Sequence, residues 1–421
     1  MDEQFLHYIW KYQKFESGQL QLSNAQFLKV FYPGNHNHDS GPDFEEARVK
    51  IDTIEWAGQV EIHINSSDWL HHNHQHDPSY KTVILHVVWN HDKEIKIDDE
   101  VIPTLELKKL VDPGLFKKYH QHIKSTDEIL CASQIATLSS LQINSMLDRA
   151  LIERLDEKSS VILSNLKNHT NDWENVTYRT IAVNFGFSTN KESFLRLTEI
   201  LPFGVLKKVL HNRKSTEALL FGQSGFLEES SDHYQKELKS EFEFLRKKFL
   251  LNEPLLKSHW KYGKLRPANF PSVRISQLSA LLHSRPQLFT FLIKTSHIED
   301  IKNKLLVDVG AYWQLHYDFG KARKKTTLKM GENSFQNLLI NSVAPILVAY
   351  SKFTDEQRYM DRAVEILESV AAESNRITKK WDPLGIKSKS AFDSQALIQL
   401  HENYCQRRKC LQCNIGVEIL K

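Results

Sequence analysis

Apolar Phe5, Leu6, Ile9, Trp10 and Phe15 recur at helical spacing and predict a helix over residues 2–15. From about residue 19 to 110 the pattern changes to short strands. LQLSNAQFLKVFYPG predicts a strand pair that ends at the Pro33-Gly34 turn. FEEARVKI and IEWAGQVEIHI predict a hairpin around Asp52-Thr53. VILHVVW is a continuous apolar run, as expected of a strand buried on both faces. EVIPTLELKKL adds one more strand, and its proline places it at a sheet edge. Beyond Cys131 the period becomes helical, beginning with LQINSMLDRALIERLDEKSSVILSNL and continuing with breaks at Pro202, Pro254, Pro267, Pro271 and Pro286. The expected organisation is an α+β domain over 1–130, a mixed sheet flanked by helices, then a mainly α-helical domain over 131–421. No internal repeat or low-complexity tract interrupts it.

Composition changes this picture little. The chain has 421 residues, 41% hydrophobic and 25% charged, with a net charge of +3. Such a balance gives no strong global field toward nucleic acid or membrane, so any basic surface is local. The first residues, MDEQFLHYIWKYQKF, lack the basic start and apolar core of a signal peptide, and no apolar run is long enough to span a bilayer. A cytoplasmic location, with no membrane partner, is the expectation.

The candidate chemistry centres on GPDFEEARVKIDTIEWAGQVEIH. Asp43 follows a proline at the mouth of one strand, and Glu61 and His63 lie two apart on the next, so they share a face. Hydrolysis of a phosphodiester needs charge neutralisation and an activated water, and a hard cation on oxygen ligands supplies both. Asp43 and Glu61 are the expected ligands of Mg²⁺ or Mn²⁺. Helical Glu3 completes the shell, and His63 orients or deprotonates the attacking water.

Helix, strands, Pro-Asp and then Glu-x-(basic) together resemble the PD-(D/E)XK nuclease superfamily. That resemblance implies a restriction-endonuclease-like fold, nucleic acid as partner, and catalytic Glu3, Asp43, Glu61 and His63. The sequence departs from it at His63, where the superfamily has lysine; a neutral imidazole holds no permanent charge against the scissile phosphate. Two alternatives follow: an inactive nucleic-acid-binding protein on the same fold, or a His-rich metal-binding hydrolase unrelated to nucleic acid. The whole chain also resembles an uncharacterised bacterial family, domain of unknown function 2851. The segments that carry this are GPDFEEARVKI, GQVEIHINSSDWLHHNHQHDPSY, VILHVVWN, NFGFSTNKESF, RPANFPSVRISQL and CLQCNIG. It implies a bacterial intracellular protein and brings no activity.

Polar residues crowd the link after Glu61: Asp68, Trp69, His71, His72, His74, His76, Asp77 and Tyr80, with His86 on the following strand and His36 and His38 before Asp43. His71, His74 and His86 are the preferred substrate-binding or metal-binding three; single loop histidines are more often simply solvated. At the C-terminus Cys405, Cys410 and Cys413 form Cys-x4-Cys-x2-Cys. Cys-x2-Cys is a good metal clasp. Cys131 or His401 is the candidate fourth ligand of a zinc ion or iron–sulfur cluster. The latter loosely resembles the cluster staples of some PD-(D/E)XK nucleases, with different spacing. Arg266 and Arg274 could grip phosphates, and the run Lys321 to Lys329 could meet a nucleic-acid backbone. Their plainer reading is a rigid turn and a solvated loop.

Overall fold

The structure is a computed structural model that describes residues 2–37, 40–229, 231–322, 324 and 330–420. His38 and most of the basic run Lys321 to Lys329 lie outside the described residues. The protein is mixed α/β, with a mixed sheet in its N-terminal part and a mostly helical remainder. Its contacts divide it into two units. Unit 1 is residues 1–147 with 400–421, and unit 2 is residues 148–399. The sequence places the end of the first domain at 130; the contacts close the unit at 147 and add the C-terminal segment to it.

Unit 1 opens with α1 (Glu3–Lys11), capped by Asp2, whose side chain accepts from the Phe5 N–H. The helix is shorter than the 2–15 expected. Gln13 sits at φ +50°, a left-handed turn that ends it, and Phe15 is buried beyond it. There follow β1 (Leu20–Gln21), β2 (Phe27–Tyr32), β3 (Asn35–His36), β4 (Phe44–Ile51) and β5 (Ile54–Asn65). Then come α2 (Asp68–His71), β6 (Val83–Asn90), β7 (Lys96–Ile97), β8 (Glu100–Val101), β9 (Thr104–Glu106) and α3 (Pro113–Ile123). The sheet order is β1-β2-β4-β5-β6-β9, with β3 on β4 and a separate β7-β8 ribbon. β1 to β5 pair antiparallel, whereas β5-β6 and β6-β9 are parallel. The β4-β5 hairpin turns at Asp52, at φ +50°, and the strand after Pro103 is the sheet edge, both as the sequence indicates.

Alternation sorts the two faces of β5. Val60 and Ile62 join Leu85, Val87 and Leu105 in a core with Phe5, Leu6, Ile9 and Trp10 of α1. Each such fully buried side chain contributes roughly 1.5–3 kcal/mol. Glu61 and His63 face the other way, toward a smaller cluster built on Trp69, Tyr80, Ile95 and Ile102. Gly58 allows β5 and β6 to approach: a Cβ there would lie 2.5 Å from Ile84 Cγ2.

Unit 2 is built of helices, among them Trp173–Phe185, Arg213–Gln223, His233–Phe249 and Pro271–Ser284, with a small strand pair at His316–Asp318 and Lys321–Ala322. Pro271 starts its helix at the position where a missing N–H costs nothing, and every residue from Pro271 to Leu282 is buried. Among the described residues no helix is long and apolar enough to cross a membrane.

Candidate functional site

The predicted catalytic residues meet in unit 1. β4 carries an irregularity between Phe44 and Ala47, with Glu46 at φ +58°. A bulge of this kind bends a strand and re-aims its neighbours. Asp43, just before the strand, reaches β5: its Oδ2 accepts from the Ile62 N–H at 2.9 Å. Glu61 Oε2 in turn accepts from the Asp43 N–H at 3.1 Å. Glu3 approaches from α1. Burial first, and Asp43 second, raise its carboxyl above the ordinary range. His7, one turn after Glu3 on the same helix face, places Nε2 3.3 Å from Asp43 Oδ2.

The other Glu61 oxygen, Oε1, lies 3.5 Å from His63 Nε2 and 3.3 Å from His74 Nε2. These are not ion pairs. Burial, then the neighbouring His86, pushes His63 down to about 2, and burial lowers His74. Burial, with Asp43 next, pushes the Glu61 carboxyl up to about 9. Burial thus favours the protonated form of Glu61 and the neutral forms of His63 and His74.

The histidines converge because of the link after β5. α2 is a single turn, and Asn73 beyond it adopts φ +61°, a left-handed conformation that asparagine tolerates. That turn brings His74 back over β5, stacked on Tyr80 with ring centroids 3.8 Å apart. His72 Nδ1 comes within 3.1 Å of His63 Nε2. One ligand atom from each of His63, His72 and His74 lies within 4.8 Å of the others, the spacing of a metal site. His86, opposite Glu61 on β6, lies behind: its Nε2 is 2.9 Å from His63 Nδ1. With the proton on His63 Nδ1, His86 accepts it and His63 Nε2 keeps its lone pair, as a supported metal ligand requires. His74 Nε2 and His7 Nε2 face carboxylate oxygens at contact distance yet make no aligned hydrogen bond among the described residues.

The other predicted residues fall elsewhere. His71 is exposed and pairs with Asp68 at 3.2 Å. Arg266 is exposed in the turn before Pro267–Asn269. Arg274 is buried in unit 2, donating to Gln277, Asn269 and Ser334 at 2.6–2.9 Å and resting over the Phe187 ring at 4.4 Å. It also lines a cavity of about 180 Å³ in that unit. Cys131, Cys405, Cys410 and Cys413 are brought together in unit 1, and His401 is not needed as the fourth member. Sequence reasoning missed His7, which its place four residues after Glu3 could have flagged, and it preferred His71 to His72.

Fold and site thus define a mixed α/β protein with a carboxylate–histidine cluster, buried at Glu61 and His63 and open at His72. The chain belongs to the family described as Protein of unknown function (DUF2851), whose model matches residues 3–376. No curated protein and no solved structure matches it.

Proposed function

We propose that unit 1 is a metal-dependent phosphodiesterase acting on nucleic acid. Glu3, Asp43 and Glu61, with His63, His72 and His74, form its site. The observation that carries this reading is the Asp43–Glu61 pairing across two strands beside three imidazole nitrogens within 4.8 Å of one another. The element order supports it: a helix, an antiparallel meander and then a strand parallel to β5 follow the restriction-endonuclease-like pattern that the sequence resembles.

His63 stands where that pattern has lysine, and burial keeps it neutral. The imidazole trio offers a replacement, because neutral imidazoles are metal ligands. His63, His72 and His74 would hold the cation, which would supply positive charge toward phosphate and lower the pKa of a water. Glu61, in contact with two of the three histidines, is placed to take that water's proton. Asp43 fixes the Glu61 strand through the Ile62 N–H. Imidazole ligands favour transition metals, and carboxylates favour Mg²⁺ and Mn²⁺, so the mixed set favours Mn²⁺ or Zn²⁺.

The trio also favours a second reading, a zinc-type hydrolase of small phosphoesters. One experiment separates the two. The metal-free protein is given Mg²⁺, Mn²⁺ or Zn²⁺ with labelled single- and double-stranded DNA and RNA and a small chromogenic phosphodiester, beside Glu61→Ala. The proposal expects metal-dependent cleavage of nucleic acid that Glu61→Ala loses. Cleavage of the small ester alone favours the second reading, and no cleavage of any substrate contradicts both.

A further inference from the structure

The chain has four cysteines, and all four line one cavity of about 20 Å³ in unit 1. They arrive from separate segments. Cys131 lies in the turn after α3, where its carbonyl accepts from Gln134 and Ile135. Cys405 ends a π-helical stretch, His401–Cys405, a rare geometry that gathers at functional sites. Arg408 then adopts φ +53°, which turns the chain so that Cys410 and Cys413 bracket one short 3-10 turn. The Cys413 N–H closes that turn on the Cys410 carbonyl at 3.2 Å. Gly416 lets the following helix sit against it: a Cβ there would lie 2.2 Å from the Cys410 oxygen.

Two ordinary explanations fit poorly. Buried cysteines serve as small apolar side chains, but packing alone gives no reason for all four to share one cavity. No disulfide joins them. A catalytic thiol is also disfavoured, because Cys410 and Cys413 are buried and reactive cysteines are partly exposed. A second observation points to an occupant. His122 lines the same cavity and is 7% exposed; Gln134 hydrogen-bonds its side chain, and its Nε2 has no hydrogen-bond partner among the described residues. A buried ring nitrogen of this kind is costly unless something else meets it.

We propose that Cys131, Cys405, Cys410 and Cys413 hold an iron–sulfur cluster, with His122 lining the same cavity. Thiolates are the ligands that soft metal centres select. The spacing separates a cluster from a single ion. Four sulfurs at about 2.3 Å from one zinc stand about 3.8 Å apart. Among the described residues, the group that closes within 4.8 Å is the histidine trio and not any three of these cysteines. A wider frame suits a cluster, which the cysteines bind at its separate irons. The centre joins Cys131 to the C-terminal segment and acts as a clasp within unit 1. It is independent of the hydrolase reading.

The full chain is purified without oxygen, and its iron, acid-labile sulfide and zinc are measured beside Cys131→Ser and Cys410→Ser. The expected result is iron and sulfide in equal amounts, about two or four of each per chain. A visible absorption that dithionite bleaches should accompany them, and both variants should lose the iron. Zinc in place of iron overturns the cluster. So does a full chain that takes up no iron when ferrous iron and sulfide are supplied. The wild-type content decides the matter even if a variant fails to fold.

Discussion

Asp43 and Glu61 hold each other's strand: the Asp43 carboxylate accepts from the Ile62 N–H, and the Glu61 carboxylate accepts from the Asp43 N–H. Position and chemistry are coupled in this pair, so substitutions should separate them. Asp43→Ala leaves the Ile62 N–H without its acceptor and should cost about 1–3 kcal/mol. Asp43→Asn keeps an acceptor oxygen and most of that stability, yet removes the charge a metal needs. Urea unfolding and metal-dependent hydrolysis, measured on both, should show Ala losing stability and activity and Asn losing chiefly activity.

The pH response follows from the same site. In the metal-free fold Glu61 keeps its proton up to about 9, against an ordinary value of 4.5, so the unfolded chain ionises first. Its contribution to stability is complete below about 4.5 and is lost as pH rises toward 9. His63 and His86 sit at about 2 and 3, against 6.5. The unfolded chain therefore binds their protons first, and stability falls as pH drops below about 6.5. Between 4.5 and 6.5 two histidines outweigh one carboxylate, so the stability of the metal-free protein should peak near pH 6.5. Unfolding curves across pH check this, and Glu61→Gln should flatten the alkaline limb.

Metal affinity should move the opposite way on that limb. Binding takes the proton from Glu61, so affinity should rise by up to about tenfold per pH unit below 9. Calorimetry in buffers of different ionisation enthalpy should detect the released proton, and Glu61→Gln should abolish it.

His72 and His71 are adjacent in sequence and opposite in role. His72→Ala should weaken Zn²⁺ or Mn²⁺ binding at least about tenfold, the scale of loss seen even for supporting groups around a metal. His71→Ala, at a side chain that pairs with Asp68 outside the histidine trio, should leave it unchanged. Titration calorimetry of both variants tests the assignment.

This pair also marks where the sequence stops being legible. The β4-β5 hairpin, the buried β6 and the shared face of Glu61 and His63 follow from period and turn residues. The place of His74 over β5 depends on the left-handed Asn73, a conformation that no periodicity announces. Glu3 was accessible as an acidic residue on a helix, but His7 required the helix register against Asp43. The return of residues 400–421 to unit 1 is a long-range contact. So is the meeting of Cys131 with the C-terminal cysteines, because a strand or helix pattern carries no information about such partners.

Gly58 tests how far the site depends on strand spacing. Gly58→Ala brings a Cβ to 2.5 Å from Ile84 Cγ2 and 2.8 Å from the Thr82 carbonyl. It should cost about 1–3 kcal/mol through overpacking and shift β6, and with it His86. Thermal unfolding should show the loss, and metal affinity should fall with it.

The most direct measurement is a crystal structure of the full chain soaked in Zn²⁺ or Mn²⁺, with data collected at the metal's absorption edge. The account predicts an anomalous peak bounded by His63, His72 and His74, separate from any signal at the four cysteines, with Glu61 turned toward it. Saturating metal with no peak there, or with peaks only at surface residues such as His71, would contradict it.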